Sequence, residues 1–253
     1  MSAIMFDGSG FSSEGVLVEE SLFETLFRLE EAHYGLRGYQ NPQIRKALDW
    51  LMPNGQIKID ITQMGKQKID ITAYDRRLTG GYRNPSGEYI RKKYVKLPTG
   101  EQKGNLNIQY INQLLTWGKE LPTVEEKAKN YFLNVYPAPY KKPYLAQSGR
   151  FCCTSCNILY QKTLKLTDPD FYAKQEKAFM RNLSIMKPST GRWRGYPFYY
   201  TILTLKDIDS AATRNELRNV AKYVSESLLE KYSENDRALR FRKLAIQTVL
   251  EYR

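Results

Sequence analysis

Three cysteines stand within five residues, Cys152, Cys153 and Cys156, in a CCxxC arrangement ahead of a run with helical spacing. The start of a helix offers free backbone N–H groups and a partial positive charge, which lower a thiol's pKa. Two thiolates three residues apart, Cys153 and Cys156, can share one tetrahedral Zn²⁺. His33 is the single histidine and so the one imidazole that could join them. No second CxxC occurs, so Asp, Glu or water would complete the shell; otherwise the thiols are buried as small apolar side chains or act in redox chemistry. A single histidine excludes two-histidine sites such as HExxH and argues against an HNH nuclease. GxSxG, Walker and GxGxxG signatures are absent too, so common hydrolase, NTPase and dinucleotide chemistries have no support.

The carboxylates offer one more catalytic pattern. Asp60, Asp70 and Asp75 with Lys66 and Lys68, and Glu88 with Lys92, supply the residue types of a metal-dependent nuclease. Their spacing does not make a PD-(D/E)xK motif, in which acid and lysine flank a single residue, and solvated hairpin faces explain them as well. The pairs Asp168/Asp170 and Asp207/Asp209 sit where helix caps are expected.

Basic and aromatic side chains interleave in two places. Arg91, Lys92, Lys93, Tyr94 and Lys96 form one run, and Arg192, Trp193, Arg194, Tyr196, Phe198, Tyr199 and Tyr200 form another, with Lys141 and Lys142 between them in sequence. Lys and Arg neutralise phosphates while exposed rings stack on bases. The same rings could instead pack a core, or line an apolar pocket made by Trp193, Tyr196, Tyr199 and Tyr200.

Charge placement sharpens the first reading. The chain of 253 residues carries a net +12. Residues 1–50 hold four Lys/Arg against eight Asp/Glu, residues 51–103 eleven against five, and residues 141–194 eleven against three. A basic surface beside an acidic start points to an anionic partner, with nucleic acid favoured. No apolar run approaches the ~20 residues of a membrane span, and MSAIMFDGSG lacks the basic-then-apolar order of a signal peptide. With so few cysteines, a reducing, cytoplasmic setting is expected.

Hydrophobic periodicity supplies the elements that would position these groups. Leu22, Leu26 and Leu29 predict a first helix stopped by Gly35 and Gly38; Asn41 and Pro42 open a second with Ile44, Ala47, Leu48 and Leu51 on one face. IKIDIT and KIDITAY alternate with period two about QMGKQ, which predicts a β-rich insertion over about 54–106. NLNIQYI either closes a second hairpin or begins the next helix. Ile108, Ile111, Leu114 and Leu115 restore the helical period, and Thr123 with Glu126 has capping-box spacing for a fourth helix. YPAPYKKPY, 136–144, denies helix and reads as a Pro-rich crossing between helical pairs in 1–135 and an all-helical region, 145–253. That region divides into Cys152–Leu166, a helix capped by Asp168 that reaches Met186, Tyr196–Ile208, Ala211–Tyr232, and a last helix capped by Ser233 and Asp236.

The fold class expected is mainly α, antiparallel helical-hairpin repeats with a β-rich insertion. GRWRGYPFYYTILTL and GLRGYQNPQIRKALDWL (35–51) resemble the helical-hairpin repeat of the prenyltransferase and squalene-cyclase superfamily, whose members stack helix pairs into an α/α barrel with Gly/Trp-containing turns. The resemblance implies that architecture for about 75 residues. Its aspartate-rich acid motif, DxDD, is missing, and the insertion and basic charge depart from the family, so cyclase chemistry is not expected. Three functions follow: a scaffold binding nucleic acid; an enzyme with an aromatic pocket in an α/α barrel; or a component of a viral or multi-subunit assembly.

Overall fold

The structure, a computed structural model, describes residues 15–18, 22–36, 39–52, 100–118, 121–135, 149, 154–187, 191–231 and 237–253. These are mainly helical. The helices are α1 (Leu22–His33), α2 (Asn41–Leu51), α3 (Gly100–Gly118), α4 (Pro122–Val135), α5 (Thr154–Thr167), α6 (Pro169–Ile185), α7 (Phe198–Ile208), α8 (Ala211–Ala221) and α9 (Arg237–Leu250), with a 3₁₀ helix at Glu226–Lys231. Among the described residues there is no strand. The expected β-rich insertion fails at its carboxyl end, because Gly100–Leu106 belongs to α3; the period-two segments themselves lie outside the described residues. Asn105–Ile111 thus takes the helical alternative, carried by the apolar stripe Ile108, Ile111, Leu114 and Leu115, all buried. No helix among the described residues is long and apolar enough to cross a membrane.

The chain divides into two compact units at Tyr131/Phe132, within α4. In the first, α1 packs on α2 and α3. Leu26, Phe27 and Leu29 of α1 and Ile44, Ala47, Leu48 and Leu51 of α2 are all buried. α1 stops at Gly35, whose φ of 66° is left-handed. The Leu36 N–H reaches the Glu31 carbonyl at 2.9 Å and the Gly35 N–H reaches Ala32 at 3.0 Å, the paired bonds of a Schellman end. Gln40, rather than Asn41, caps α2, with Pro42 in its first turn. α4 likewise starts one residue before Thr123: the Leu121 carbonyl accepts from Val124 and Glu125 at 2.9 and 3.2 Å, so Thr123 lies inside the helix and no Thr123/Glu126 box forms.

The second unit is built around α7. Every residue from Phe198 to Leu205 is buried, and α5, α8 and α9 pack on it. A helix apolar on all sides has no solvent face, which is why FYYTILTL shows no amphipathic stripe. α6 closes on α5 and α8. Asp168 caps α6 by accepting the Phe171 N–H at 2.9 Å. Asp209 ends α7 in a left-handed conformation (φ 49°), and Ser210 caps α8 by accepting the Thr213 N–H at 3.0 Å. Asp207 has a different role: it pairs at 2.6 Å with Lys162 of α5, a lysine only 3% exposed. α8 ends at Ala221, well short of Tyr232, and a 3₁₀ turn follows. Ser233 and Asp236 lie outside the described residues.

Candidate functional site

Between α6 and α7 the chain turns at two glycines with left-handed φ, Gly191 at 73° and Gly195 at 72°. In Gly191–Arg192–Trp193–Arg194 the two arginines are exposed and the tryptophan between them is buried. Trp193 fixes the turn by donating its Nε1–H to Glu216 Oε1 of α8 at 2.8 Å. Lys187, just past α6, donates to the same oxygen at 3.0 Å. Glu216 is itself buried, so its charge is balanced by one cation and one N–H donor within the unit. The Arg194 backbone N–H bonds the Met186 carbonyl at 2.6 Å, and the Thr154 hydroxyl bonds the Gly195 carbonyl. The turn is thereby tied to α5, α6 and α8 at once.

Gly191 allows this approach. Its φ is 73°, and a Cβ there would lie 2.5 Å from Cγ and Cδ2 of the Tyr223 ring. The ring of Tyr223, just beyond α8, rests on the bare glycine backbone. Arg192 also lies over the Phe198 ring, 5.1 Å from its centroid.

Exposed cations stand on both helices that flank this turn, and Glu226, three residues past Tyr223, is an exposed anion paired with Arg253 at 3.0 Å. Arg214 and Arg218 of α8 and Lys222, the residue that caps its carboxyl end, follow one another at i+4 spacing, all exposed. Arg214 pairs with the exposed Asp209 at 3.1 Å, and Lys222 donates to Asn219 Oδ1 at 3.2 Å. α6 shows Lys174, Lys177 and Arg181, likewise exposed. The turn sits at the carboxyl ends of both helices, where the helix dipole favours cations.

Of the residues expected to bind nucleic acid, Arg192 and Arg194 stand together on this surface. Arg91, Lys92, Lys93, Lys96, Lys141 and Lys142 lie outside the described residues. The four pocket residues are in the core: Trp193 is 3% exposed, Tyr196 6%, Tyr199 8% and Tyr200 1%. Trp193 packs on Phe198 at 5.6 Å between ring centroids, Phe198 on Tyr199 at 5.3 Å, and the Asn157 amide donates to the Tyr196 oxygen at 3.4 Å. Cys153 lies outside the described residues, and Cys156 falls in the first turns of α5. No group of three or more His, Cys, Asp and Glu is placed to hold a metal among the described residues. His33 ends α1 at the surface, its ring edge-on to Trp117 at 6.3 Å.

Residue types alone did not single out Glu216, Lys187 or Tyr223. The Arg214–Arg218–Lys222 spacing was a readable signal, masked by the near-neutral charge of residues 195–253 as a whole. The first unit adds two features. Glu30 and Glu31 are fully buried, and Gln109 Nε2 donates to Glu30 Oε2 at 3.3 Å. A cleft of about 460 Å³ is lined by α2 residues including Ile44, Arg45 and Leu48, with Trp117 and Leu121.

No protein-family model matches the chain, and neither does any curated protein or solved structure.

Proposed function

We propose that the chain is a helical scaffold that binds nucleic acid through the basic outer face of its second unit. The carrying observation is the Arg192–Trp193–Arg194 turn: the buried Trp193–Glu216 bond fixes the residue that stands between two exposed guanidiniums. Cations placed on a rigid support need less ordering on contact with phosphates than cations on a free loop. Helical-hairpin repeats are the architecture proposed for this support. α5 and α6 are separated by Asp168 alone, and α7 and α8 by Asp209 and Ser210, connections short enough to make antiparallel neighbours. The Asp207/Asp209 and Asp168/Asp170 pairs supply caps and an ion pair, so no catalytic role is proposed for them.

The test is the salt dependence of binding to a fluorescein-labelled oligonucleotide. Affinity should fall linearly on a log–log plot, by about 0.7 in slope for each phosphate contact to a single strand. Arg192→Ala with Arg194→Ala should lower the slope by about 1.4. Binding that ignores salt, or a double variant with the wild-type slope, refutes the proposal.

A further inference from the structure

Two large apolar side chains stand out to solvent among the described residues: Ile185, 67% exposed, and Tyr223, 55% exposed. Both border the same basic turn. Ile185 is the last residue of α6, next to the Met186 carbonyl that receives the Arg194 N–H. Tyr223 lies against Gly191. Core residues elsewhere in the unit are covered, so exposure of an isoleucine and a tyrosine on either side of one turn is not a general looseness of packing.

The geometry of Tyr223 makes it a platform. Its Cβ, Cγ and Cδ2 are the atoms nearest to the position of a Gly191 Cβ, so the root of the ring is seated on the turn while over half of the residue remains open. The Tyr223 N–H bonds the Val220 carbonyl at 2.9 Å, which anchors its backbone to the end of α8. The turn beneath it is held by Trp193–Glu216 and by Arg194–Met186. Cations adjoin the ring along the chain on both sides of the contact: Arg192 follows Gly191, and Lys222 precedes Tyr223.

From this we infer that the surface takes single-stranded nucleic acid, with an unpaired base stacked on Tyr223 and the flanking phosphates on Arg192, Arg194 and Lys222. The inference rests on the nucleic-acid reading above and adds strandedness to it. A duplex keeps its base faces stacked inside and offers this surface only phosphates. A single strand offers a π-face as well, and stacking on an aromatic side chain accepts any base. Ile185 supplies an apolar edge that an unpaired base would cover. The site therefore discriminates strand state rather than sequence.

The experiment compares three fluorescent probes against the full chain: a 15-nucleotide poly-uridine strand, a duplex of equal length, and labelled heparin, a polyanion without bases. The single strand should bind more tightly than the duplex at equal salt. Tyr223→Ala should weaken single-strand binding by about tenfold and leave heparin binding unchanged, whereas Tyr223→Phe, which keeps the ring, should bind like wild type. Gly191→Ala drives a methyl into the ring and should reproduce the loss; a circular-dichroism melt of each variant identifies any that fails to fold. Equal affinity for duplex and single strand, or wild-type behaviour of Tyr223→Ala, overturns the inference while leaving salt-dependent binding intact. Failure of wild-type protein to bind either oligonucleotide overturns the underlying function as well.

Discussion

Glu216→Ala tests the element on which the basic turn depends. The wild-type carboxylate is buried and receives Trp193 Nε1–H at 2.8 Å and Lys187 Nζ at 3.0 Å. After truncation the indole N–H, on a residue 3% exposed, has no route to water, which costs about 1–3 kcal/mol. Loss of the ion pair adds about 1 kcal/mol, discounted because Lys187 is partly exposed. The expected loss is about 2–4 kcal/mol, or a fall in Tm of roughly 10 °C for a unit of this size. Glu216→Gln keeps a carbonyl acceptor for Trp193 and forfeits the charge, so about 1 kcal/mol is expected. Urea unfolding followed by circular dichroism reads all three proteins. A cycle with Trp193→Phe should give a coupling energy of about 1–2 kcal/mol between the two positions. A Glu216→Ala protein within about 0.5 kcal/mol of wild type, the scatter of ordinary surface substitutions, or a coupling near zero, refutes the claim that this bond holds the turn.

Asp207→Asn leaves the Lys162 ammonium buried without its carboxylate partner, and a loss of about 3 kcal/mol is expected in urea unfolding; the double variant Lys162→Met/Asp207→Leu should recover most of it. Recovery is the informative arm, since a simple packing defect would deepen with a second substitution. The phenols of Tyr110 and Tyr172 are pushed far above their usual value by burial, reinforced by Tyr131 in the first case and by the Glu176 carboxylate, 3.1 Å from the Tyr172 hydroxyl, in the second. Both groups favour the protonated form when folded. Their contribution is complete below the unfolded pKa of about 10 and is lost as pH rises beyond it, because the unfolded chain then binds fewer protons. Stability measured in urea should therefore decline above about pH 10, and tyrosinate absorbance from these two rings should appear with unfolding rather than before it.

Several parts of this protein were legible in the amino-acid order because they depend on neighbours a turn away. Gly35 as the stop of α1, the Ile44–Ala47–Leu48–Leu51 face of α2 and Asp168 as the cap of α6 follow from i, i+3 and i+4 geometry and from glycine's access to positive φ. Boundaries set by a backbone carbonyl were misread: Leu121, not Thr123, accepts the first N–H groups of α4, and α8 turns at Ala221 though the chain that follows keeps a helical composition. Segment 105–111 carried both periods, and the continuous apolar stripe of α3 decided between them.

Sequence alone determined that the Gly191–Asp209 segment is special, through its glycine, tryptophan and run of aromatics. It could not say which of those rings face inward, since a helix apolar on every side has no periodic signature to orient it. Tertiary structure decided that α7 is wrapped by α5, α8 and α9, which consigns Trp193, Tyr196, Tyr199 and Tyr200 to the core and turns Arg192 and Arg194 outward. It also brought Glu216 to Trp193 and Tyr223 to Gly191 from more than twenty residues away. Such contacts depend on how helices pack in space, a property that local spacing does not encode.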